Sequence, residues 1–282
     1  MQEHQNIFRI RTMCQVLSIS RAGFYAWRKR AESHRKREDK RLLALISASF
    51  MRSRRTYGYR RVHADLREQG EGCGKHRVAR LMRNHGIHPK TRRKFKVTTQ
   101  SKHNKPIYEN HLGREFCAKT PNERWVSDIT YIPTVEGWLY LSVIMDLFSR
   151  KIVGWSMSDR LKESLLMDSL RMALFQRKTH SDLLLHSDRG SQYASDKFQK
   201  MLNDYSILCS MSRKGDCWDN AAMESFFHSL KTECAYHERY QTREEAKKSI
   251  FDYIEVFYNR QRKHSYLGYQ SPEQYEQLAC RS

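Results

Sequence analysis

The sequence predicts an α/β chain in two parts: a small, basic, all-helical front region, then a mixed β-sheet with helices on its faces. Three observations lead there. Of 52 Lys and Arg, 30 fall in residues 1–120 against 9 Asp and Glu, while residues 121–282 hold 22 of each. After Pro121 the hydrophobic pattern changes from helical spacing to strand-like runs. Those runs come first as three in succession and then alternate with helical stretches, the order of a mixed sheet covered by helices.

At the front, Ile10, Met13, Cys14 and Leu17 mark one helix, and Ser20 caps a second that carries Phe24, Trp27, Arg28 and Lys29. This pair suggests a helix-turn-helix-like segment over residues 1–35, or a plain helical hairpin with a solvated basic end. Residues 31–41 (AESHRKREDKR) read as a charged connector, followed by a helix through Leu42, Leu45, Ile46 and Phe50. YGYRRVHADLREQG and CGKHRVARLMRNHGI each give a turn and a basic amphipathic helix. Residues 36–98 therefore read as a helix-turn-helix-like DNA-binding domain, with Lys75, Arg77, Arg80 and Arg83 outward to meet phosphates. Residues 99–118 follow as a basic linker, and 119–282 as the main domain.

In that domain, RWVSDITYIPT (124–134), a turn at Glu136-Gly137, and the runs 138–150 and 151–158 predict an antiparallel meander. A helix over 162–178, a buried strand over 183–188, a helix near 195–205 and a strand over 207–212 come next. An amphipathic helix then opens at Asn220, its stripe formed by Met223, Phe226, Phe227 and Leu230. A capping box from Thr242 to Glu245 opens a long helix to about Arg262, buried through Ile250, Phe251, Ile254 and Phe257. Trp125, Trp138 and Trp155 are expected in the core.

Composition narrows the function. A net charge of +21 implies a polyanionic partner, with nucleic acid the leading candidate. Seven cysteines without a CxxC pair suit neither a disulfide framework nor a zinc site, and point to reduced thiols in a cytoplasmic protein. The absence of any 18-residue apolar run argues against a membrane span.

The chemistry sits on three acids. Asp128 lies mid-strand between apolar neighbours, where an ionised carboxylate is costly unless paired or bound to a cation. Asp188 ends the strand of residues 183–188, and Glu224 lies at the edge of the late helix, with 35 residues between them. Three carboxylates without a local base suit hard divalent cations, above all Mg²⁺. Two such ions could drive in-line phosphoryl displacement. Asp146 is either a fourth carboxylate near the metals or a partner for Arg150, and His186 is a supporting residue. The tail cluster holding Arg260 and Arg262 is expected to contact DNA.

WVSDITYI, LLHSDRGSQY and DNAAMESFFHSLKTE, in that order and spacing, closely resemble the insertion-sequence transposases of the retroviral-integrase (DDE) superfamily. The nearest likeness is to the second-reading-frame (OrfB) product of the insertion sequence 3 family. YGYRRVHADLREQG with HRVARLMRNHGI resembles that family's helix-turn-helix-like domain, and YNRQRKHSYLGYQSPEQY its C-terminal tail. The resemblance implies a ribonuclease H-like core binding two Mg²⁺ (or Mn²⁺) ions through Asp128, Asp188 and Glu224. It further implies that Lys231 contacts transposon-end DNA and that Asn220 supports the metal site. The implied reaction exposes 3′-hydroxyls at the terminal inverted repeats and joins them to target DNA, without a covalent protein–DNA intermediate. Implied partners are further copies of the chain on DNA and a first-reading-frame (OrfA) product, separate or fused. A ribonuclease H-like nuclease without strand transfer and a non-catalytic DNA-binding regulator are the alternatives.

Overall fold

The computed structural model describes residues 1–90, 108–179, 182–213 and 217–280. Residues 99–107 of the expected basic linker, and Phe95 and Val97 before it, lie outside them.

The front region is helical as its periodicity requires. α1 (Ile10–Val16) and α2 (Arg21–Lys29) are joined by a short turn, and Ser20 caps α2 by accepting from the Gly23 amide at 2.9 Å. α3 (His34–Arg52) begins well before the expected start, inside the stretch read as a connector. Charge pairing explains the difference: Glu32 takes Lys36 and Lys40, and Arg41 bridges Glu38 and Glu71. Such pairs support a helix that has no apolar stripe there. α3 packs with α4 (Tyr59–Glu68) and α5 (Lys75–Asn84) around Ile46, Val62, Leu66 and Val78, all fully buried.

The sheet has five strands in the order β3-β2-β1-β4-β5. β1 (Arg124–Thr134), β2 (Gly137–Asp146) and β3 (Ile152–Ser158) form the expected antiparallel meander. Gly137 opens β2 at φ +108°, a conformation side chains resist. After α6 (Glu163–Gln176), β4 (Leu184–Ser187) returns parallel to β1; α7 (Asp196–Asp204) and β5 (Leu208–Met211) complete the parallel half. Gly154 lets α6 lie close on β3, since a Cβ there would stand 2.2 Å from the Ser169 carbonyl oxygen. One face packs Trp125, Ile144 and Val153 against α6 and α7. The other packs Val126, Val143 and Met145 against α8 (Ala221–Glu233) and the C-terminal helices.

The long helix expected to Arg262 is a shorter α9 (Arg243–Phe251) that widens into a π-helical stretch, Asp252–Tyr258. The wider turn brings Tyr253, Ile254, Phe257 and Tyr258 inward and leaves Phe251, expected to be buried, half exposed. It also delivers Asn259 to the edge of β3, where its side chain bonds both the amide and the carbonyl of Ile152. At the opposite edge, the Met211 amide meets the Glu109 carbonyl, and Ser210 Oγ accepts from the His111 and Leu112 amides. α10 (Pro272–Ala279) closes the chain behind a Ser271–Gln274 capping box. Trp138, expected in the core, is exposed at the tip of the β1–β2 hairpin, edge-on to Tyr131 at 4.8 Å.

Candidate active site

The site begins where β1 and β4 part. β4 pairs with β1 only along Arg124–Val126, with Val126 opposite His186. Continuing that register sets Asp188 level with Asp128 and on the same face, because both lie two residues beyond the last pair. Beyond Val126 the freed edge of β1 is met by the start of α8. Asn220, preceding α8, donates from Nδ2 to the Ser127 carbonyl at 3.2 Å. This bond fixes the beginning of α8, and with it Glu224 in the first turn, against the residue before Asp128.

The electrostatics show the convergence. Burial first, and then the negative charge of Asp188, push the Asp128 carboxyl well above the usual range; Glu224 adds to the rise, while the Ile129 amide (2.7 Å) and Lys231 oppose it. Asp188 is tied into a turn by the Gly190 amide at 2.8 Å. Glu224 is raised by loss of water and stands at the exposed rim. Lys231 is lowered by burial and drawn up by Asp128, with Nζ 5.2 Å from the Tyr131 ring centre.

Asp188, Glu224 and the Lys231 ammonium thus all lie within electrostatic reach of Asp128, and the three carboxylates are hard-oxygen donors of the kind Mg²⁺ takes. Among the described residues, no three His, Cys, Asp or Glu side chains are gathered closely enough to chelate one ion. The donor types and their mutual repulsion fit a divalent ion.

Two supporting residues take different roles from those expected. Asp146 is fully buried away from the acids, accepting from the Asn122 and Phe148 amides at 2.9 Å, and burial raises its carboxyl to about 6. It pairs across the sheet with Trp125, three residues before Asp128, and it binds the chain leaving β2 rather than Arg150. Arg150 instead donates to the Phe116 carbonyl. His186 lies between Ser210 Oγ (2.8 Å) and Ser212 Oγ (3.1 Å), and burial lowers it to about 4, so it is a neutral tie from β4 to β5.

Spacing alone did not reveal Tyr193 or Asp219. The Tyr193 hydroxyl meets Ser127 Oγ at 2.9 Å, and its acidity is suppressed by burial and then by Asp128 and Asp188, which places it beside both. Asp219, buried before α8, gathers Arg213, Arg114 (2.8 Å) and Asn110 (3.0 Å), and these bonds hold its carboxyl below the ordinary range despite burial. It anchors the end of the loop preceding α8. The DRGSQY string was the available signal for Tyr193; nothing local distinguished Asp219.

Of the expected DNA contacts, Arg28, Lys29, Lys75 and Arg83 are exposed, and Arg77 and Arg80 both bond Asp39 at 2.7 Å. Arg260 is exposed, 3.8 Å from Glu273. Arg262 departs from its expected place on the surface. It is buried and grips both oxygens of Glu233 at 2.7 Å, because a buried carboxylate requires a counter-charge.

A helical domain with a basic face joined to a mixed-sheet core with three convergent acids defines a polynucleotidyl transferase acting on DNA. The comparisons agree. Integrase core domain models match residues 118–217 and 224–279, and an HTH-like domain model matches 36–95. The chain is 44% identical over 277 residues to "Transposase InsF for insertion sequence IS3A" of Escherichia coli (strain K12), covering 98% of this chain and 96% of that protein. It is also 44% identical over 272 residues to "Insertion element IS600 uncharacterized 31 kDa protein" of Shigella sonnei, covering 95% and 100%. A solved catalytic core domain of BIV integrase aligns at TM-score 0.43 and 15% identity, over 57% of this chain and 97% of that one, too distant to add weight. The chain belongs to the insertion sequence 3 family of transposases. It is a DNA transposase of the DDE class with a ribonuclease H-like core, in a family whose chemistry depends on divalent metal. No helix among the described residues is long and apolar enough to cross a membrane.

Proposed function

We propose that this transposase cuts the terminal inverted repeats of its element and joins the freed 3′-hydroxyls to target DNA, with Asp128, Asp188 and Glu224 as the metal ligands. The observation that carries the reading is the Asp128 carboxyl, driven up by burial first and then by Asp188, with Glu224 from a distant helix adding to the rise. Two Mg²⁺ ions, or Mn²⁺, would stabilise the attacking and leaving oxygens of an in-line displacement. The chain's own residues do the rest. Asn220 holds the Ser127 carbonyl and Tyr193 the Ser127 hydroxyl beside Asp128, and Lys231 meets a phosphate of the transposon end. Lys75, Arg83, Arg28 and Lys29, with Arg77, Arg80 and Arg260, track the duplex. Bringing two ends together calls for at least two copies on DNA, with the first-reading-frame product as a partner or fused segment.

Asp188→Asn and Glu224→Gln, assayed with a labelled element end, test this. Strand transfer is expected to fall about 10³-fold or more in each, the loss of several kcal/mol of charge stabilisation. End-duplex binding should stay within about twofold. A Glu224→Gln protein that still joins ends removes the assignment, and wild-type products that are cut but never joined favour a simple nuclease.

A further inference from the structure

We infer that a cleft of about 310 Å³ between the helix-turn-helix-like domain, the flank of α8 and the C-terminal tail is a phosphate site that takes one backbone phosphodiester of the bound DNA. This rests on the transposase reading above and adds to it a place where DNA, recognition domain and catalytic helix meet.

The cleft sets cations and hydroxyls against an apolar floor that includes Phe116, Met145, Ala222 and Phe226. Arg61 of α4, Arg150 of the β2–β3 turn and Arg262 of the tail line it, with Ser225, Ser229 and Tyr266. No Asp or Glu lines it among the described residues. The nearest counter-charge is Glu233 behind the wall, held by Arg262 at 2.7 Å and only at 3.5 Å by Arg61. Three guanidiniums facing one carboxylate leave a surplus of positive charge in a partly dry space, where an anion interacts more strongly than in open water. His264 adds no further charge: its Nε2 meets Arg262 Nη1 at 3.1 Å, and the surrounding arginines together with burial keep it neutral.

Arg150 supplies an independent observation. Its backbone is left-handed at φ +61°, rare for a bulky residue. The guanidinium lies over the Tyr266 ring at 4.3 Å, and Nη2 donates to the Phe116 carbonyl at 2.8 Å. Its Nε is buried with no hydrogen-bond partner among the described residues. A buried, charged N–H without an acceptor calls for one, and a phosphate oxygen in the cleft would supply it. The planar guanidinium fork suits two oxygens of one phosphate.

Position gives the site its consequence. Ser225 follows Glu224 directly, so a phosphate held here lies on the next flank of the helix that carries the third acid. Arg61 comes from the other domain. One bound phosphate would therefore fix the recognition domain and the catalytic helix in a single register on the DNA.

The test uses the full chain, the element-end duplex, an unrelated duplex of equal length, and inorganic phosphate. Arg150→Gln removes the orphaned donor, and Ser265→Glu adds a carboxylate at an exposed rim position where folding is undisturbed. Arg171→Gln, on α6 outside the cleft, is the charge-matched control. Each cleft variant is expected to weaken both duplexes about 10-fold at fixed salt and to flatten the slope of log K against log salt by about one. Phosphate-ethylation interference on the end duplex should lose one position in Arg150→Gln and keep the others. Unchanged affinity, slope and interference pattern in both variants, with wild-type end joining intact, would overturn the cleft assignment alone. Inorganic phosphate bound in the cleft while DNA binding ignores the variants would overturn it too, in favour of a small-anion site. If the wild-type chain bound neither duplex, the transposase reading itself would fail.

Discussion

Asp146 shows how one carboxylate can be structural while its neighbours are chemical. It lacks a cation close enough to offset burial, and its two amide donors only limit the rise to about 6. The native state therefore binds a proton that the unfolded chain does not hold until near pH 4. Its contribution is fully present below that value and is lost as pH rises through 6, which costs roughly 3 kcal/mol at neutral pH. Measured by urea unfolding, the stability of wild type minus that of Asp146→Asn should rise as pH falls from 7.5 to 5, and a fall in that signed difference would contradict this. Asp128, Asp188 and Glu224 stand out as candidates by residue type, strand context and spacing, since an Asp between apolar strand neighbours has few inexpensive explanations. Their meeting does not stand out. It depends on Val126 pairing with His186, a register that no local pattern encodes. Asn220→Ala tests how the site is held. Loss of the bond to the Ser127 carbonyl should lower kcat for end cleavage with little change in DNA affinity, whereas a purely structural role would lower the melting temperature alone.

Among the elements, α8 and the widened helix after α9 hold each other through Glu233. That carboxylate takes Arg262, the Tyr253 hydroxyl at 2.8 Å and Arg61, which pull it below its ordinary range against the effect of burial. Glu233→Gln leaves Arg262 buried without its counter-charge and is expected to destabilise the fold by about 3–5 kcal/mol in denaturant unfolding. Adding Arg262→Gln should recover part of the loss, and strict additivity would deny the coupling. Most helices followed from periodicity because each buries one face, and the strands from short apolar runs because the sheet is packed on both faces. The exceptions have physical causes. The charged start of α3 is held by ion pairs rather than an apolar stripe, and the π-helical stretch answers to Asn259 reaching a strand edge. The π-helical stretch depends on a partner distant in sequence, whereas the start of α3 rests mainly on local ion pairs, with Arg41 to Glu71 a long-range tie.

For the molecule as a whole, charge and chemistry are segregated. The net charge of +21 lies in the first 120 residues, while the half bearing the acids is balanced. Binding to any duplex should therefore be strongly salt-dependent, weakening by roughly 10³-fold between 50 and 200 mM salt if six or more phosphates are engaged. A gel-shift titration across that range checks it, and a flat response would leave the basic region without its role. The covered borders of the sheet constrain assembly further. Asn259 occupies the β3 edge and the segment from Glu109 to Leu112 lies along β5. Copies gathered on an element's two ends are then expected to meet through helices, tails and the DNA between them rather than by extending one sheet into the next.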